Sequence, residues 1–135
     1  MASWSRTFPG HPEQVGQARL FTRSVLAGRP EADMAVLVVS ELATNALRHT
    51  ASGAPDGTFL VVVWARQDGV RVAVCDLGAA GRPAIKPASG DELQASGHGL
   101  VLVATVAKEW GASRTKAGWR VWAELSGADS AGALL

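Results

Sequence analysis

A single cysteine in 135 residues leaves this chain unable to form an intrachain disulfide. Cys75 stands in a run of valines, which reads as a buried free thiol in a reducing compartment. An excess of one charge is missing too: 13 Lys and Arg against 12 Asp and Glu leave a formal net charge of +1. That balance argues against an electrostatically driven nucleic-acid binder, and 47% hydrophobic residues argue against a disordered tail. The longest apolar stretches, Phe59 to Ala65 and Leu100 to Ala107, fall well short of the ~18 residues of a membrane span. Met1 to Arg6 has no apolar segment of the kind a secretory signal needs. No repeat at solenoid spacing is visible. The expectation is a cytoplasmic protein that contacts neither membrane nor nucleic acid directly.

What is present is enough for one domain with a real core. It is expected over residues 1–125, followed by a disordered tail over 126–135 that is rich in Gly, Ala and Ser. After an extended piece from Ser5 to Gly10, Pro12 opens a helix to about Ala27, which Gly28-Arg29-Pro30 ends. A second helix is predicted from about Glu31 to His49. Thr58 to Arg66 and Val70 to Asp76 are valine-rich and separated by Gln67-Asp68-Gly69, the pattern of a hairpin. Gly78 to Gly97 is longer than a compact domain leaves without structure unless it is a functional lid. A third helix, about Gly99 to Glu109, precedes strands over Ser113 to Lys116 and Trp119 to Leu125. The order predicts an α/β two-layer sandwich, with helices on one face of a mixed, mostly antiparallel sheet.

Three constellations carry chemistry. On the second helix, Ser40, Glu41, Thr44, Asn45, Arg48 and His49 fall within one half of the circumference. This is either a solvated face or a site. As a site, Asn45 offers a neutral oxygen to Mg²⁺, while Glu41, four residues earlier on the same side, takes a proton from an attacking hydroxyl or water. Next, Val70, Val72, Val74 and Asp76 alternate onto one strand face, so an apolar face ends in a carboxylate. Asp76 either starts a turn or, if buried, needs a donor such as the amino group of adenine. Gly78 then allows a sharp turn or the close approach of a flat base. Finally, Gly97-His98-Gly99 before an apolar helix is either a connector or a place where backbone N–H groups meet phosphate.

In this order the segments resemble the motif set of the gyrase B, heat-shock chaperone and histidine-kinase ATPase superfamily, the Bergerat fold. "ELATNALRH" (Glu41 to His49) is similar to its N box, "DLGAAG" (Asp76 to Gly81) to its first glycine box and "GHGL" (Gly97 to Leu100) to its second. The wording is closest to the anti-sigma-factor serine/threonine kinases, including "FPG" near the start and the terminal "VWAEL". The resemblance implies Glu41 as general base, Asn45 as magnesium ligand and Asp76 as adenine anchor. It also implies Gly78 beside the base and Gly97 and Gly99 at the phosphates, with Leu100 closing the second box. Two positions depart from the pattern: Ala80 stands where the first box usually ends in glycine, and Arg120 lies near a place where such proteins often carry threonine.

The implied function is an ATP- and Mg²⁺-dependent protein serine/threonine kinase. It would regulate transcription by phosphorylating an anti-sigma-factor antagonist, and would also sequester a sigma factor. The alternative is a non-catalytic, nucleotide-binding anti-sigma or partner-binding module. Homodimerisation through the first helix and the Arg6 to Phe8 strand is a further implication.

Overall fold

The computed structural model describes residues 1–77 and 101–127. Its centre is the valine-rich hairpin, β2 (Thr58–Arg66) and β3 (Gly69–Cys75), with Val61 opposite Val74 and Val63 opposite Val72. Period-two alternation sends Phe59, Val61, Val63, Val70, Val72 and Val74 to one side, where none exceeds 1% exposure. β5 (Trp119–Leu125) extends that side with Val121 beside Val74 and Ala123 beside Val72. β1 (Ala2–Pro9) and β4 (Glu109–Arg114) are the edges of a five-stranded sheet in the order β1-β2-β3-β5-β4. Every pairing among the described residues is antiparallel.

α1 (Gln14–Val25) and α2 (Ala32–His49) cover the apolar side. α1 buries Val15, Ala18 and Thr22, and α2 buries Met34, Ala35, Val38, Val39, Leu42, Ala43 and Ala46, one stripe on each helix. Phe8 joins the layers: its ring stacks on Phe59 at 5.3 Å and meets the edge of Phe21 at 5.9 Å. Helices therefore lie on one face, as the element order predicts, and the other face of the sheet carries no helix among the described residues. Among those residues, too, no helix is long and apolar enough to cross a membrane.

Three boundaries differ from the sequence reading. The helix expected to reach Glu109 ends at 106, and β4 occupies Glu109–Arg114 instead of Ser113 to Lys116. Strand pairing overrides local preference here. The Lys108 N–H donates to the Glu124 carbonyl at 2.8 Å and Trp110 packs against the core. Gly111 lies against the Trp122 ring, where a Cβ would come within 2.9 Å. The extended piece expected from Ser5 runs from Ala2, because the free edge of β2 offers partners to the whole of β1. Cys75 is a free thiol as expected, but half-buried, since it faces away from the helices.

The loop that ends the first helix does more than stop it. Arg29 donates to both carboxylate oxygens of Glu31, at 3.2 and 3.4 Å, and to the Arg66 and Gly69 carbonyls at 2.5 and 3.4 Å. Glu31 is 2% exposed, so Arg29 both neutralises a buried carboxylate and ties the helix layer to the β2–β3 turn. Arg29→Ala is expected to cost about 2 to 3 kcal/mol in urea unfolding, because a buried charge loses its partner. Lysine at this position recovers only part, having no planar fork.

Candidate functional site

The C-terminal half of α2 turns Leu42, Ala43 and Ala46 into the core and leaves Glu41, Thr44 and His49 half-buried at its margin. Asn45 is 7% exposed, and its Oδ1 is buried with no hydrogen-bond partner among the described residues. His49 Nε2, one turn later, is buried and unpartnered in the same sense. An unpaired buried polar atom costs ~1 to 3 kcal/mol, so two on adjacent turns of one helix call for a ligand. Glu41, one turn before Asn45, makes no hydrogen bond or ion pair among the described residues.

Asp76 follows β3 and is 4% exposed, at the end of the apolar face, where the alternation predicts it. Its N–H donates to the Trp119 carbonyl at 2.8 Å, and the Trp119 N–H donates to Asp76 Oδ1 at 3.2 Å. The next residue is tied to the helix layer: the Leu77 N–H donates to Ser52 Oγ at 3.0 Å, and Ser52 is fully buried. Ser52 sits in a 3₁₀ turn, Ala51–Gly53, directly after α2. There the Ser52 N–H donates to Thr50 Oγ1 at 3.0 Å, and Thr50 Oγ1 donates to the Ala46 carbonyl at 2.6 Å. The end of the Glu41–Asn45 helix is thus linked through Thr50 and Ser52 to the strand end that holds Asp76.

Of the sequence-predicted residues, Glu41 and Asn45 therefore stand on the C-terminal half of α2, and Asp76 stands at the strand end that Ser52 links to that helix. Gly78, Gly97, Gly99 and Leu100 lie outside the described residues, as do Ala80 and the expected lid over 78–97. Arg120 is described, and it faces the helix-free side of the sheet opposite Cys75, while Val121 faces the helices. Sequence reading left the role of His49 open, missed Ser52 and gave Trp119 no part in holding Asp76. The hydroxyl pair in "HTAS" was the available signal for Ser52, but it reads as an ordinary helix exit. Nothing local in the sequence pairs Trp119 with Asp76, 43 residues away.

A sequence model of the histidine kinase-like ATPase domain matches residues 8–125, which takes in α1, α2 and all of the sheet except most of β1. The chain belongs to this family. No curated protein matches it. A histidine kinase-like ATPase domain is an ATP-binding domain, and its family match covers all three chemistry-bearing segments. Among its described residues no group of three or more His, Cys, Asp and Glu is placed to hold a metal on its own. A cation would therefore depend on Asn45 Oδ1 together with oxygens brought by the nucleotide. That donor set suits Mg²⁺, which usually keeps waters and phosphate oxygens beside one or two protein ligands. In this ATPase domain the α2 face thus presents a neutral oxygen at Asn45, a nitrogen at His49 and, at Glu41, a carboxylate with no hydrogen bond or ion pair among the described residues.

Proposed function

We propose that this histidine kinase-like ATPase domain is an ATP- and Mg²⁺-dependent protein serine/threonine kinase. Its acceptor would be an anti-sigma-factor antagonist, and its setting the cytoplasm. The observation that carries the reading is the pairing on α2 of a buried Asn45 Oδ1 with a Glu41 carboxylate one turn earlier, both without a hydrogen-bond or ion-pair partner among the described residues. A module that only binds nucleotide has use for the first but not the second. In the proposed reaction the acceptor hydroxyl oxygen bonds to the γ-phosphorus, the bond to the β–γ bridging oxygen breaks and ADP leaves. Glu41 takes the hydroxyl proton. Asn45 would hold Mg²⁺ through its Oδ1, and the metal would supply charge neutralisation at the phosphate oxygens when bound. Asp76 orients the adenine, and its bond from Trp119 fixes the carboxylate for that purpose.

The deciding experiment is transfer of labelled phosphate from ATP to purified candidate antagonist proteins, followed by identification of the modified residue. Transfer to serine or threonine supports the reading. Tight partner binding without any transfer replaces it with the binding-module reading.

Two variants test the assigned roles. Asn45→Ala is expected to abolish the gain in ATP affinity that Mg²⁺ gives, measured by calorimetry with and without the metal; an unchanged gain removes Asn45 from the site. Asp76→Ala is expected to weaken ATP binding by roughly 1 to 3 kcal/mol, the penalty for losing a buried polar partner. The native protein should prefer ATP to GTP, whose base presents an acceptor where adenine presents a donor. Equal affinity for the two nucleotides contradicts the role given to Asp76.

A further inference from the structure

The helix-free face of the sheet carries a cleft of about 390 Å³ at the Asp76 end. Its floor is one register row across four strands: Thr7 opposite Leu60, Leu60 opposite Cys75, and Cys75 opposite Arg120. Leu77 and Lys116 close its sides. No residue of α2 lines it; Asp76 alone is shared with the proposed nucleotide site, and the cleft opens on the sheet face opposite the one that Glu41 and Asn45 border.

Charge distinguishes this row from the rest of the same face. At the other end of the sheet, Arg66 and Arg71 both meet the Glu124 carboxylate, at 2.9 and 2.5 Å, and Arg71 also covers the Trp122 ring at 4.4 Å. That end is satisfied internally. Arg120 and Lys116 make no ion pair among the described residues. The one carboxylate in the cleft wall, Asp76, already accepts from the Trp119 N–H. An apolar floor with two cations at its margin, in a volume within the ~300 to 1,000 Å³ range of small-molecule sites, complements a ligand that is apolar at one end and anionic at the other.

We propose that this cleft is a second ligand site, which binds a small amphipathic anion: an aromatic or aliphatic body bearing a carboxylate or sulfonate. The body covers Leu60 and Cys75, and the anionic group meets Arg120 and Lys116. Because Cys75 is the sole cysteine, its alkylation reports on this site alone.

The test uses anilinonaphthalene sulfonate as the probe, with ATP present throughout to fill the nucleotide side, and the uncharged phenylnaphthylamine as comparator. Three results are expected. The sulfonate binds saturably at one site; at ten times its Kd it slows iodoacetamide alkylation of Cys75 by about tenfold, by mass action. The double variant Lys116→Gln, Arg120→Gln binds the sulfonate about tenfold more weakly, the effect of two exposed charge contacts. It binds phenylnaphthylamine as the native protein does. Both substituted side chains are exposed, and a thermal melt checks that the variant folds. Absence of binding, binding that leaves Cys75 alkylation unchanged, or undiminished sulfonate affinity in the double variant overturns the proposal. The protection measurement needs no variant, so it decides even if the substitutions perturb folding.

Discussion

Glu41→Ala is expected to lower phosphate transfer to the acceptor protein by ~10² to 10⁴ and to leave ATP affinity within about twofold of native. The separation follows from where the carboxylate stands. Glu41 is half-buried at the margin of the helix, and its removal breaks no hydrogen bond or ion pair among the described residues. Its one proposed task, taking a proton from the acceptor hydroxyl, exists only as the reaction proceeds. A small gain in ATP affinity also fits, since a negative charge near the phosphates disappears. Nucleotide affinity and transfer are measured on one preparation, with a thermal melt to confirm that α2 is intact. If the variant transfers phosphate at the native rate, another group serves as base. If the native protein transfers none and Glu41→Ala leaves its partner binding unaltered, the binding module is the better description.

Gly10→Ala is expected to destabilise the fold by roughly 3 kcal/mol and lower the melting temperature by about 10 °C. A Cβ at this position would lie 1.7 Å from the Ser52 carbonyl oxygen and 3.0 Å from that of Gly57. The backbone, not a flexible side chain, is the obstacle, so the Ala51–Gly53 turn must move. The same turn carries the Ser52 hydroxyl that accepts from the Leu77 N–H, beside Asp76. The variant should therefore lose ATP affinity as well as stability when assayed below its melting temperature. A melting temperature equal to native would show that the turn yields freely and that Gly10 has no role in holding it.

The two properties belong to different parts of the molecule, yet both depend on how α2 meets β3. The helix was legible because its apolar residues recur at helical spacing, and it was predicted to within one residue of its observed span, Ala32–His49. The hairpin was legible because valines alternate on both sides of Gln67-Asp68-Gly69. β4 was not. Its sequence, "EWGASR", has no alternation, and an edge strand half-exposed along its length has no need of one. Its existence rests on pairing with β5, with Gly111 making room for the Trp122 ring.

The sequence by itself determined the layer architecture and the ATPase family, and it nominated Glu41, Asn45 and Asp76 as candidate site residues. Each of these is written in local periodicity or in the spacing of a motif, which short-range sterics and burial are enough to enforce. Tertiary structure decided what those residues meet. That Asn45 Oδ1 is buried without a partner among the described residues, that Asp76 is held by the Trp119 N–H and that Ser52 ties Leu77 to the end of α2 all depend on how distant segments pack. It also decided that Arg120 and Cys75 share a cleft on the face away from the helices, because strand register, and not sequence distance, chooses which side chains stand opposite one another.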